Sequence, residues 1–200
     1  MIYLVRHGQT RFNLERRYQG ACDSPLTALG EDQARAVGRL LAELAPRDCP
    51  IVSSPLGRAR ATAELIRRAG GFTSDITLDP RLAEISMGAW DGRLISEIDT
   101  AAAGFTSEDL PPDWYMRSPD GETYAQFAAR LGDWVESVRS LPGPLIVVSH
   151  GVAGRVIRGL YAHLDKDTAL RLPVPQDAVF RLNDGTIERI DCAPASAGTS

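Results

Sequence analysis

Ile2-Tyr3-Leu4-Val5-Arg6-His7-Gly8 near the start of the chain and Leu145-Ile146-Val147-Val148-Ser149-His150-Gly151 near its end share one pattern: a continuous apolar run that delivers a histidine followed by glycine. Neither run alternates polar with apolar residues, as expected of strands buried on both faces of a sheet. Both are therefore predicted to be central strands. A third run, Ile51-Val52, leads through Ser53-Ser54-Pro55 to Arg58 at the head of a predicted helix. Between these runs the apolar period lengthens. Ala34, Val37, Leu41 and Leu44 share one helical face, as do Phe127, Leu131, Trp134, Val135 and Val138. Strands alternating with helices imply an α/β fold.

Local signals bound these elements. Thr27 is a helix N-cap candidate, and Gly70-Gly71 and Pro142-Gly143 are helix stops. Ala178 to Leu182 and Thr186 to Ile190 flank Asn183-Asp184-Gly185, which reads as an antiparallel hairpin closing one edge, so the sheet is predicted to be mixed. The 200 residues, 44% hydrophobic and 24% charged, suit a single domain over residues 1–192. Ala193 to Ser200, made of small residues with little to pack, is expected to be a flexible tail.

Composition excludes several functions. A net charge of −4 with no long Lys/Arg block argues against nucleic acid as partner. Cys22, Cys49 and Cys192 are odd in number and scattered, which reads as neither a disulfide framework nor a zinc site, and fits a reducing, cytoplasmic setting. Met1 to Val5 is too short an apolar run for a signal peptide, and no later run has membrane-spanning length, so no membrane partner is expected. Oligomeric state is unreadable, and a homo-oligomer stays open.

His7 and His150 are two of only three histidines, and both follow central strands. In an open α/β sheet, ligands bind beyond the carboxyl ends of the strands, so the two imidazoles are expected in one crevice. Gly8 and Gly151 would admit a ligand close to the backbone, and a helix starting near Gly151 would aim N–H groups at an anion. Arg6 and Arg58 add guanidinium forks, which match phosphate oxygens and keep their charge. No histidine pair has metal-site spacing on a helix, so neither metal nor other cofactor is expected. His163, late in a helical stretch, is given no role.

These residues resemble the histidine phosphatase superfamily, which includes the cofactor-dependent phosphoglycerate mutases. The likeness runs through Leu4-Val5-Arg6-His7-Gly8-Gln9-Thr10, Asn13 and Gln19-Gly20, then Asp23-Ser24-Pro25-Leu26-Thr27. It continues in Ser53-Ser54-Pro55-Leu56-Gly57-Arg58-Ala59 and ends in Ser149-His150-Gly151. The resemblance implies a three-layer α/β sandwich with a mostly parallel mixed sheet and helices on both faces. It implies His7 as nucleophile, with Arg6, Arg58 and His150 holding phosphate and Asn13 and Gly151 beside it. Glu84, in Arg81-Leu82-Ala83-Glu84-Ile85, matches the family's proton donor. Glu122 resembles a recurrent acidic position and is read here as a possible helix cap.

The family's mutases resemble one another in a Glu-Arg-X-Tyr-Gly stretch, where this chain has Glu84-Ile85-Ser86-Met87-Gly88. The missing Arg and Tyr favour hydrolysis of a small phosphorylated metabolite over mutase-type transfer. A phosphate-binding module without turnover is the third reading. Substrate choice is assigned to the less regular segment from Ala101 to Pro119, where Phe105, Trp114 and Tyr115 would cover the pocket with Tyr18 and Trp90. Arg16, Arg17 or Arg117 would reach a second anionic group.

Overall fold

The computed structural model describes residues 1–98 and 111–192; Phe105 and the 193–200 tail lie outside them. Six strands form one mixed sheet: β1 (Ile2–Arg6), β2 (Ile51–Ser53), β3 (Ile76–Leu78), β4 (Leu145–Ser149), β5 (Ala178–Asn183) and β6 (Thr186–Asp191). Their spatial order is β3-β2-β4-β1-β5-β6. The two strands read first from sequence lie side by side and parallel, with Ile2 opposite Leu145 and Arg6 opposite Ser149. β5 and β6 close one edge antiparallel. Their hairpin is tighter than the three-residue link read from sequence. Asn183 pairs with Thr186, leaving Asp184 and Gly185 as a two-residue turn with φ of 47° and 75°.

Alternation along β1 explains the layers. Ile2 and Leu4 enter one core with Phe127, Leu131 and Trp134 of α4 (Tyr124–Arg139) and Val156 and Ile157 of α5 (Gly151–Tyr161). Tyr3 and Val5 enter the other with Val37 and Leu41 of α2 (Ala28–Leu44) and Ala59, Ala63 and Ile66 of α3 (Gly57–Gly70). Helices thus cover both sheet faces, and burying each large apolar side chain contributes roughly 1.5–3 kcal/mol. The remaining helices, α1 (Arg11–Leu14) and α6 (Lys166–Leu170), are short.

Caps behave as the sequence suggests, with two refinements. Thr27 Oγ1 accepts the Gly30 N–H at 3.1 Å, and Gly71, at φ 65°, ends α3 in the left-handed region. His163 lies beyond α5 rather than within it. Its φ of 55° turns the chain so that the Leu164 N–H bonds Gly159 O at 2.9 Å, which makes it a helix terminator. Gly8 serves packing: a Cβ there would stand 2.1 Å from Gly30 O, so the loop after β1 lies directly on the start of α2. Among the described residues, no helix is long and apolar enough to cross a membrane.

Candidate functional site

Because β1 and β4 run parallel in level register, their carboxyl ends deliver both histidines to one place. The His7 N–H extends the ladder to Ser149 O at 3.0 Å, and the two imidazole centroids stand 5.2 Å apart. Both rings are buried, at 3% and 1% exposure. His7 Nδ1 lies 2.8 Å from Gly8 O. A carbonyl can only accept, so Nδ1 carries the proton and Nε2 keeps its lone pair. His150 Nε2 lies 2.7 Å from Ser54 Oγ, and its Nδ1 has no partner.

Burial, and then the charges of Arg6 and Arg58, hold His7 well below the ordinary histidine range, against a smaller opposing effect of Gly8 O. His150 is held down likewise by burial, followed by Arg58, His7 and Arg6. Both imidazoles are neutral in the folded protein. The unfolded chain protonates them near pH 6.5, so their contribution to stability is complete above that pH and is lost as pH falls below it. Each adds a slope of at most about 1.4 kcal/mol per pH unit in that window. Urea denaturation between pH 7.5 and 5 is expected to show declining stability, with a shallower decline in His150→Asn; equal slopes would contradict buried neutral histidines.

The arginines divide their donors. Arg58, 1% exposed at the head of α3, gives Nη1 to Cys22 O and Nη2 to Gly20 O, each at 2.8 Å, and so pins the loop before α2. Arg6 gives Nη1 to Val174 O at 2.6 Å. Arg155 Nε and Arg158 Nη2 grip the two preceding carbonyls, Leu172 O and Pro173 O, each at 2.7 Å. Three guanidinium groups thus strap Leu172–Val174 against the site. Gln176, just beyond, donates to His7 O and Asn13 Oδ1, each at 3.1 Å.

Glu84 changes one expectation. Its two carboxyl oxygens accept from Val152 N at 3.0 Å and Ala153 N at 2.9 Å, so the start of α5 is capped by the protein's own side chain. Ile85 N adds a third bond at 3.1 Å. The loop that carries Glu84 is held by Arg130, which donates to Arg81 O, Ala83 O and Glu84 O. Glu122 grips Arg130 through two bonds, at 2.7 and 2.9 Å, and does not cap α4; Thr123 and Gln126 form that capping box. Glu122 is a brace for the Glu84 loop.

A cleft of about 190 Å³ opens here, lined by Arg6, His7, Asn13, Glu84 and Gly151, together with Tyr18, Tyr115, Arg17 and Arg155. Arg58 and His150 lie in the wall behind, close enough for Arg58 to act electrostatically on both imidazoles. Of the aromatic residues read as a cover, Tyr18 and Tyr115 line the cleft, whereas Trp90 is buried in the core against Trp114 at 5.6 Å. Arg17 lines it too; Arg16 is exposed elsewhere, and Arg117 does not border it.

Among the described residues, the buried side-chain polar atoms without a partner are Arg6 Nε, Gln19 Nε2, Arg58 Nε, Tyr115 Oη and His150 Nδ1. All five belong to this one region. Arg Nε and Gln Nε2 can only donate, so the arrangement asks for an acceptor rich in oxygen. The class this defines is an α/β protein with two imidazoles among unpartnered donors at the carboxyl ends of its central strands.

The chain belongs to branch 1 of the histidine phosphatase superfamily, whose family model matches residues 2–186. It is 39% identical over 194 residues to a probable phosphoglycerate mutase, GpmB, of Salmonella arizonae, covering 95% of this chain and 84% of that one. Among solved structures, Bacillus stearothermophilus YhfR aligns with TM-score 0.77 and 32% identity over 95% of each chain. A mycobacterial glucosyl-3-phosphoglycerate phosphatase, in complex with VO3, aligns with TM-score 0.72 and 28% identity, covering 90% of this chain and 92% of that one.

Proposed function

We propose that this chain is a phosphatase that hydrolyses a phosphomonoester of a small metabolite through a phosphohistidine on His7. The observation that carries the reading is the convergence of unpartnered buried donors on the two neutral imidazoles. His7 Nε2 attacks phosphorus and the phosphorus–oxygen bond to the leaving group breaks, Arg6, Arg58 and His150 meeting the oxygens' charge. Asn13 and the Gly151 end of α5 border the same space. Glu84 gives its proton to the departing alkoxide. As carboxylate it then takes one from water, whose oxygen displaces His7 and releases phosphate.

Hydrolysis is favoured over transfer by the stretch after Glu84, where Ile85 is wholly buried and Met87 faces the cleft, so neither supplies a polar anchor for a retained intermediate. The name of the GpmB relative favours the second reading, a phosphoglycerate mutase. A screen of phosphorylated metabolites with a chelator present separates them. Chelator-insensitive release of inorganic phosphate is expected. Interconversion of phosphoglycerates stimulated by a bisphosphorylated glycerate, without net release, would replace hydrolysis by transfer.

A further inference from the structure

Ser54 follows β2 directly and is the partner of His150. Its N–H donates to Val148 O at 3.0 Å, which continues the β2–β4 ladder, and its carbonyl accepts from Ser53 Oγ at 3.0 Å. The residue is wholly buried, so water does not reach its hydroxyl. Oγ accepts the Leu56 N–H at 3.3 Å and lies 2.7 Å from His150 Nε2. Among the described residues, no other group stands in hydrogen-bonding geometry to that hydroxyl.

A hydroxyl can give or take, so unlike the carbonyl at His7 it does not fix a tautomer by its identity alone. The two states differ in what they strand. If Nε2 donated, Oγ would accept twice, and its own proton would be buried with no acceptor. If Oγ donates, its proton meets the Nε2 lone pair and the ring's own proton sits on Nδ1. That nitrogen is buried with no partner in the protein, in the region of the other unpartnered donors, and its ring lies 5.2 Å from that of His7.

We propose that Ser54 is a positioning residue that holds neutral His150 as the Nδ1–H tautomer, so that Nδ1–H is the donor offered to an oxygen of the phosphoryl group at His7. The role at phosphorus rests on the phosphatase reading; the tautomer does not. A neutral imidazole donates only from the nitrogen that carries its proton, so the opposite tautomer would set a lone pair against the phosphoryl oxygens.

The test is nitrogen NMR of the full chain labelled with ¹⁵N-histidine at pH 7.5, where each ring nitrogen shows whether it carries a proton. The His150 signals are those missing from His150→Asn. The parent is expected to show His150 protonated at Nδ1 and bare at Nε2. Ser54→Ala, which removes only the hydroxyl, is expected to shift the His150 tautomer ratio about threefold or more toward Nε2–H and to leave the His7 signals in place. It is also expected to lower kcat/KM for p-nitrophenyl phosphate about tenfold or more. Ser54→Thr, which keeps the Oγ–H, is expected to restore the ratio and to bring the rate within about fivefold of the parent. A parent protonated at Nε2 would overturn the proposal, and so would a Ser54→Ala protein with an unchanged ratio, whatever its rate. A shifted ratio with an unchanged rate would overturn the role at phosphorus. The ratio is read without substrate, so it is decided separately from hydrolysis, which p-nitrophenyl phosphate release by the parent decides on its own.

Discussion

Replacement of His7 by alanine is expected to abolish phosphate release, with a loss on the order of 10⁴-fold or more, because the route through a covalent intermediate disappears with the nucleophile. The substitution leaves Arg6, Arg58 and His150 in place, since each is anchored by its own bonds to Val174 O, to Gly20 O and Cys22 O, and to Ser54 Oγ. Inorganic phosphate is therefore expected to bind the variant within a few-fold of the parent. That combination, binding kept and turnover gone, separates a nucleophile from a residue that only shapes the pocket. Turnover within about tenfold of the parent would remove His7 from the chemistry.

Glu84→Gln is expected to lower kcat/KM, which reports the steps up to release of the alcohol, by roughly 10²–10⁴-fold on alkyl phosphates and far less on p-nitrophenyl phosphate, whose leaving group needs no proton. The substitution keeps the shape but sets an amide NH₂ against either the Val152 or the Ala153 N–H, donor facing donor. Loss of that bond is expected to cost roughly 1–3 kcal/mol of stability. Comparing leaving groups is therefore essential, since a general loosening of the start of α5 would slow every substrate alike. Equal losses in kcat/KM on alkyl and nitrophenyl esters would remove Glu84 as the proton donor to the leaving group.

The sheet was readable because its central strands are buried on both faces, which removes polar residues from Ile2–Val5 and Leu145–Val148. The same logic exposed Arg6, His7 and His150, each following directly on such a run, and Arg58 at the head of the helix after Ile51-Val52. β3 escaped notice: it is three residues long, largely exposed and at an edge, so no continuous or alternating pattern marks it. The bracing of the site was equally hidden. Arg130 reaches Arg81 O, Ala83 O and Glu84 O, and Arg6 reaches Val174 O, 168 positions away. Such side chain to carbonyl bonds leave no signature, because the acceptor can be any residue type.

Glu122 and Gly8 show a subtler limit. Each stood in a pattern associated with the site, and each acts through structure: Glu122 by fixing Arg130, and Gly8 by letting the loop after β1 meet Gly30. Arg155 carried a faint signal, its spacing of four from Gly151, which places both on one face of α5. That spacing acquires meaning only once the start of the helix is known to border the cleft.

The most direct measurement is a rapid acid-free quench during turnover, followed by mapping of protein-bound phosphate by mass spectrometry. Base-stable, acid-labile phosphate on His7, forming and decaying at least as fast as phosphate is released and absent from His7→Ala, is the expected result. Turnover with no phosphoprotein at any time, or with phosphate on a residue other than His7, would contradict the proposed covalent route.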